Sequence, residues 1–115
     1  MRIRTIYFKV VEMAPARAFW TRFLGVEPHK DFEDWCEFMV DGLRFAMLRL
    51  DHEEPGNACV PVFELADAPA VRAEIARATA LGASVFLDGL DDPEVQSVVL
   101  LDPLGHQFEL SKIHA

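Results

Sequence analysis

The chain has 115 residues, 51% of them hydrophobic, and a formal net charge of −8 at pH 7. This apolar content argues against a disordered chain and is enough for the core of one domain. The acidic balance argues against a nucleic-acid partner, because phosphate backbones are bound by clustered lysines and arginines.

Two features of the chain predict a cytoplasmic protein with reduced thiols. Residues 1–4 run directly into a strand-like pattern, and no stretch approaches the roughly 20 apolar residues that span a bilayer. Cys36 and Cys59 do not form a CxxC pair. Both are expected to be small core residues, and the alternative is that one of them is reactive.

The first two elements are a strand and an amphipathic helix. Residues 3–10, IRTIYFKV, alternate in polarity, which is typical of a half-buried strand. Residues 15–24 open with a proline in a first-turn position and are followed by Gly25, which marks the helix end. The apolar stripe of this helix consists of Ala16, Phe19, Trp20 and Phe23.

Three strands and a chain break complete the first half. The strands are expected at 26–30, 35–40 and 43–50, and the turn Asp41-Gly42 predicts a hairpin between the last two. The polar stretch 51–58, DHEEPGNA, contains proline and glycine and is the best internal boundary.

The second half repeats this order of elements. It predicts a helix whose stripe contains Val71, Ile75 and Ala78, and an acidic loop that is interpreted as a solvated hairpin loop. The strands are expected at 59–66, 83–88, 95–101 and 106–112, the helix at 68–82 and the loop at 88–94. We therefore predict an α+β fold with two βαβββ modules, at about 1–52 and about 58–115, within a single domain 1–115.

The stretches AFWTRFLG, early in the chain, and DPLGHQFEL, near its end, make the sequence resemble the vicinal oxygen chelate superfamily. That superfamily includes glyoxalases, bleomycin resistance proteins and extradiol dioxygenases. The resemblance implies curved mixed sheets around a cleft, with the helices on the outer faces, and a homodimer. It does not imply one particular activity, because a fold does not determine function.

Members of this superfamily that bind a metal supply two ligands from each module, typically a His or Gln and a Glu. The resemblance places the four positions at Thr5, Ala46, Val60 and Glu109. Only Glu109 is a good ligand, since alanine and valine have no donor atom in their side chains. No metal and no other cofactor is therefore expected.

Strand alternation predicts which side chains line the cleft, because residues two apart share one face of a sheet. This face would combine a phenol, two cations and two carboxylates with apolar walls, which suits a small polar or amphipathic ligand. The alternative is that Lys9, Arg44 and Glu64 pair with one another or with the acidic surface. The candidate ligand-binding residues are Thr5, Tyr7, Lys9, Trp35, Arg44, Glu64, Gln107 and Glu109.

These residues favour a metal-independent binding protein for a small molecule, similar to the bleomycin-resistance branch, which sequesters an antibiotic or a metabolite. The acidic charge points to a cationic ligand. One alternative is a glyoxalase-like lyase or isomerase, or a dioxygenase-related enzyme with an atypical site. In it, Lys9 or Arg44 would replace the charge of the metal and Glu109 would act as a base. Another alternative is a partner-binding or structural role. Neither nucleic acid nor a membrane is expected as a partner.

Overall fold

A computed structural model describes residues 1–53, 58–103 and 105–113. Residues 54–57 of the predicted 51–58 break, Leu104 and residues 114–115 lie outside these ranges. The strands are β1 (Arg2–Val10), β2 (Lys30–Asp31), β3 (Trp35–Val40), β4 (Leu43–Arg49), β5 (Cys59–Leu65), β6 (Ser84–Asp88), β7 (Ser97–Leu101) and β8 (Gln107–Lys112). The helices are α1 (Met13–Leu24) and α2 (Ala68–Ala80). This order confirms the α+β class and the two successive βαβββ modules.

The chain folds into two compact units whose bounds differ slightly from the modules. Residues 5–60 form the first unit, and residues 1–4 together with 61–115 form the second. The first unit therefore contains most of β1 and the first two residues of β5. No helix in the described part of the chain has both the length and the apolar character to cross a membrane.

The first unit contains a mixed sheet with the strand order β2-β3-β4-β1. β1 runs parallel to β4, whereas β3 is antiparallel to both β4 and β2. The hairpin predicted at Asp41-Gly42 is present, and both residues have positive φ values, of 52° and 79°. Such a turn matches the twist of the flanking strands. The strand predicted at 26–30 is wrong in extent, since only Lys30 and Asp31 pair with β3.

Helix α1 covers one face of this sheet. It ends at Gly25, whose left-handed φ of 72° lets its N–H bond the carbonyl of Thr21. Ala16, Trp20 and Leu24 pack on a core of four buried residues, which are Met13, Cys36, Phe38 and Met47. The predicted stripe was partly wrong, because Phe19 and Phe23 are 56% and 71% exposed. They stack on each other at the surface instead.

The second unit contains a sheet with the order β5-β8-β7-β6, in which only the β5–β8 pair is parallel. Asp67 begins α2 by accepting a hydrogen bond of 2.8 Å from the N–H of Ala70. The predicted stripe of α2 is confirmed, since Val71, Ile75 and Ala78 all belong to the core. The other buried core residues of this unit are Leu90, Val98, Leu100 and Leu110.

The two cysteines occupy different environments. Cys36 is fully buried under α1, as expected of a core residue, and burial raises the pKa of its thiol. Cys59 is exposed, so its assignment to the core was wrong, although partial desolvation also raises the pKa of its thiol. Both residues are free.

The core of the second unit generates a stability prediction. We expect Leu100→Ala to lower the free energy of unfolding by about 2–5 kcal/mol, because it removes a fully buried side chain and leaves a cavity. Leu81→Ala is the matched control, since Leu81 is 69% exposed and its loss should change stability by about 0.5 kcal/mol or less. Urea denaturation of both variants checks this, and equal effects would contradict the assigned core.

A second prediction concerns thiol reactivity, which depends on access to the thiolate. With iodoacetamide at pH 7.5, we expect Cys59 to be alkylated in the folded protein and Cys36 only after unfolding in urea. Peptide mass spectrometry over time measures both rates. The buried position of Cys36 would be contradicted if both residues were modified equally fast without denaturant.

Candidate functional site

The face of the first sheet that points away from α1 is largely polar. On β1, Val10 packs with α1 and Phe8 stacks on Trp20, so the alternate residues Thr5, Tyr7 and Lys9 lie on the opposite face. Strand pairing places Tyr7 beside Ala46, and Ala46 beside Glu37. We refer to this face of β1, β4 and β3, together with Lys30 of β2, as the polar face.

Glu37 is the centre of the polar face, and only 2% of its surface is exposed. Three basic side chains surround one of its oxygens. His29 Nε2 lies 2.5 Å from Glu37 Oε2, Arg44 Nε lies 3.6 Å from it, and Lys30 Nζ lies 4.0 Å from it. A buried carboxylate requires such partners, because losing hydration without compensation costs several kcal/mol.

The second oxygen of Glu37 is bound by an aromatic residue. Trp35 Nε1 donates a hydrogen bond of 3.1 Å to Glu37 Oε1. The Trp35 ring also meets Tyr7 edge to face, with a centroid separation of 5.4 Å and an interplanar angle of 60°. Trp35 therefore belongs to the polar face and connects its charged centre to an aromatic wall.

The first unit accounts for five of the eight residues predicted to bind a ligand. Thr5, Tyr7, Lys9, Trp35 and Arg44 share the polar face. Thr5 and Tyr7 are buried, whereas Lys9, Trp35 and Arg44 are partly exposed. The structure thus brings these five residues to one surface, and their contact with a ligand stays a prediction.

The other three predicted residues lie in the second unit, on the sheet face opposite α2. Glu64 is 5% exposed and forms ion pairs with Arg2 and with Arg4, whose Nε lies 3.6 Å away. Ser97 donates a hydrogen bond of 3.4 Å to Glu109. Gln107 lies two residues before Glu109 on β8 and on the same face. Within this unit, the carboxylates of Glu64 and Glu109 thus contact different polar partners.

The alternative interpretation was that the charged candidates pair with other charged side chains, and the structure identifies such partners for two of them. Arg44 pairs with Glu37, and Glu64 pairs with the two N-terminal arginines. His29 stays exposed at the surface and also binds Glu37. His106, expected to begin a strand, precedes β8 and contacts Asp102 through its N–H and Nδ1.

Sequence reasoning missed Glu37, His29 and Lys30. The usable signal was the single acid in the apolar strand WCEFMV, because alternation places Glu37 on the face of Trp35. His29 and Lys30 could not have been assigned, since β2 is only two residues long and gives no periodic pattern.

Comparison with known families places this arrangement in context. The sequence profile described as "Glyoxalase-like domain" matches residues 5–111, which is nearly the whole chain. The chain belongs to the glyoxalase-like domain family. No curated protein sequence matches it significantly.

Solved structures share the glyoxalase-like fold at low sequence identity. A protein from Legionella pneumophila, described as an NAD-dependent benzaldehyde dehydrogenase, has a TM-score of 0.77 at 17% identity, with 96% of this chain and 98% of that chain covered. A hypothetical protein from Bacillus halodurans C-125 gives 0.70 at 10% identity, with coverages of 99% and 95%. A glyoxalase/bleomycin resistance protein/dioxygenase superfamily member from Vibrio splendidus 12B01 gives 0.69 at 13% identity, with coverages of 96% and 99%. These likenesses show the fold and no activity.

The metal site implied by the glyoxalase-like resemblance does not fit these residues. Ala46 and Val60 are fully buried and offer no donor atom, and Thr5 is 2% exposed. Across residues 1–53, 58–103 and 105–113, no three His, Cys, Asp or Glu side chains are arranged to hold an ion. Glu37 and His29 form a donor pair, but their neighbours Arg44 and Lys30 are cations that would repel a metal.

The burial of Glu37 generates a stability prediction. We expect Glu37→Gln to lower the free energy of unfolding by about 1–3 kcal/mol, because the three basic groups lose their shared carboxylate. This value is below that of a fully buried ion pair, since the basic side chains are 24–40% exposed.

Glu27→Gln is the control, because Glu27 is exposed and its neutralisation changes the net charge by the same amount. Urea denaturation of both variants at pH 7 measures the difference. Equal stability of the two variants would contradict the central position of Glu37.

Proposed function

We propose that this glyoxalase-like protein is a metal-independent small-molecule binding protein and that its polar face contacts the ligand. The main observation behind this proposal is the cluster around Glu37. Its buried carboxylate contacts the partly exposed basic side chains of His29 and Arg44, and the aromatic pair Tyr7–Trp35 lies beside them. A few oriented polar groups next to apolar walls are typical of small-molecule sites. The biological role would be sequestration of an antibiotic or a metabolite.

The position of each group supports a division of roles on the polar face. His29, Lys30 and Arg44 have side-chain exposures of 35%, 40% and 24%, so a ligand reaches them from solvent. Glu37 beneath them is reached last and acts by orienting its neighbours. Trp35 offers ring surface for an apolar part of the ligand, and Tyr7 fixes the orientation of that ring.

Of the second unit's candidates, Glu109 and Gln107 remain proposed ligand contacts. Both are partly buried and lie on the sheet face opposite α2. Glu64 is neutralised by Arg2 and Arg4, so its main effect in our proposal is to stabilise the second unit. A ligand could contact Glu64 only if the carboxylate bound the ligand and the two arginines at the same time.

A second candidate function is an enzyme, favoured by the hydrogen bond between His29 and Glu37. An imidazole held by a carboxylate can act as a general acid or base. In this alternative, Arg44 would stabilise a developing negative charge on the substrate. The glyoxalase-like resemblance suggests a lyase or isomerase, or a dioxygenase-related reaction, and Glu109 is the alternative base.

The cellular setting is part of the same proposal. We propose a cytoplasmic location, which the two free cysteines support. We also propose a homodimer, which the resemblance suggests and to which the exposed rings of Phe19 and Phe23 would offer apolar surface. The net charge of −8 continues to disfavour nucleic acid as a partner.

Metal content tests the metal-independent part of the proposal. Untagged protein purified without chelators is analysed by mass spectrometry before and after incubation with Ni²⁺, Fe²⁺, Zn²⁺ and Mn²⁺. We expect far less than one ion per chain in every sample. Stoichiometric metal that is lost in Glu109→Ala but kept in Glu94→Ala, a change at an exposed acid, would contradict the proposal.

Ligand binding is then screened by thermal shift on the same protein in the presence and absence of EDTA. A compound at 100 times its dissociation constant stabilises the folded state by about 2.7 kcal/mol, which is easily detected. We expect equal shifts with and without EDTA. Turnover of a hit compound that disappears in Glu109→Gln or in a His29→Gln variant would favour the enzyme instead.

A further inference from the structure

The polar face carries more positive than negative charge, although the whole chain is strongly acidic. Arg44 and Lys30 contribute two positive charges at neutral pH, and His29 adds a third when it is protonated. Glu37 is the only acid within 4.0 Å of these three side chains in the described part of the protein. The sum at this site is therefore +1 or +2, against −8 for the chain.

The geometry points to a binding site for the anionic group of an aromatic small molecule, formed by Arg44, Lys30 and His29 and bordered by Trp35. This inference rests on the proposed function, because it names the ligand class of the same site. It reverses the ligand charge expected from composition, since a cation would meet these basic groups before it could reach Glu37.

Hydrogen-bonding capacity supports an additional anion. Charge-assisted N–H···O bonds are about 2.7–2.9 Å long, and only His29 approaches Glu37 closely enough to form one. The separations of 3.6 Å for Arg44 and 4.0 Å for Lys30 are attractive contacts without such a bond. In the described structure, Arg44 Nε is shielded from solvent and has no hydrogen-bond acceptor. Lys30 and the solvent-exposed part of Arg44 are therefore available to a second acceptor, whereas Arg44 Nε itself is out of reach of a ligand that comes from solvent.

Burial orders these groups from the surface inward. Lys30 and His29 have the most exposed side chains, Arg44 is less exposed, and Glu37 is only 3% exposed at its side chain. A carboxylate or phosphate that approaches from solvent therefore meets positive charge first. Glu37 holds the cations together from below, so their mutual repulsion is reduced before the ligand arrives.

The aromatic part of the ligand class follows from Trp35. It lies on the same strand as Glu37 and two residues before it, so their Cα atoms are about 7 Å apart on one face and the indole N–H still reaches the carboxylate. This spacing suits a ligand whose ring lies against the indole while its charged group reaches Arg44. Trp35 is half-buried, which leaves part of its surface available for such a contact.

A matched series of probes tests the charge preference directly. Phenylacetate, phenylacetamide and 2-phenylacetamidine have similar shapes, but their charges are negative, neutral and positive. Binding is measured by NMR titration of the ¹⁵N-labelled protein, following the indole N–H of Trp35. We expect phenylacetate to bind at least tenfold more tightly than the amide, and the amidine to cause no shift of this signal.

Variants test whether Arg44 and Lys30 supply the preference. We expect Arg44→Met to weaken phenylacetate binding about tenfold, which corresponds to the loss of one charge-assisted hydrogen bond. Lys30→Met should weaken it severalfold and raises no folding concern, because Lys30 is 40% exposed. Arg22→Met is the control with the same change in net charge, since Arg22 lies exposed on α1.

The outcomes separate this inference from the broader proposal. Tighter binding of the amidine, or no preference within the series, overturns the anionic site and leaves metal-independent binding intact. No binding of any of the three probes also overturns it, while the thermal-shift screen still tests the broader proposal. Equal weakening in Lys30→Met and Arg22→Met would assign the effect to net charge and would equally overturn the site.

Discussion

A carboxylate removed from water must be neutralised where it lies, and Glu37 imposes this condition on the first unit. Its neighbours are explained by that requirement. The side chains of His29 and Lys30 come from one segment and that of Arg44 from β4, yet all three approach the same oxygen. The short strand β2 matters for this reason, because its pairing with β3 places Lys30 directly beside Glu37.

The two units use the same framework but place their acids differently. Aligned by the glycines of their last turns, Ala46 in the first unit corresponds to Glu109 in the second. Strand pairing puts Ala46 beside Glu37 and Glu109 beside Val99. Each unit thus has one carboxylate among the residues that pair across its strands at this level. In the first unit the carboxylate lies on the strand next to the one that corresponds to β8. The two units thus share their order of strands but differ in the chemistry of these sheet faces.

The alternation of β1 and the stripe of α2 made much of the fold predictable from the sequence. Both patterns report burial against a neighbouring layer, which is a local property of the chain. The stripe of α1 was less informative, because Phe19 and Phe23 have helical spacing but remain at the surface. Spacing alone cannot show how wide a strip of a helix the sheet covers.

The candidate site was predictable only in part, for a related reason. Alternation correctly placed Tyr7, Lys9 and Arg44 on one face, since each lies in a regular strand. The partners of Arg44 depend on which strands lie side by side in the folded chain. Strand β2 has only two residues, so it shows no alternation in the sequence. Overall acidity also gave no information about the charge beside Glu37, because composition averages over the whole surface.

The location of Glu37 on an inner strand has a consequence for recognition. β3 is paired on both sides, with β2 and β4, so the backbone that carries Glu37 is held by two ladders. The strands that carry Lys30 and Arg44 pair directly with β3, so the backbone of the proposed site is ordered before a ligand binds. In the proposed site, a ligand would therefore meet a charge pattern carried by a backbone that is already ordered, and selectivity would come from the match to that pattern.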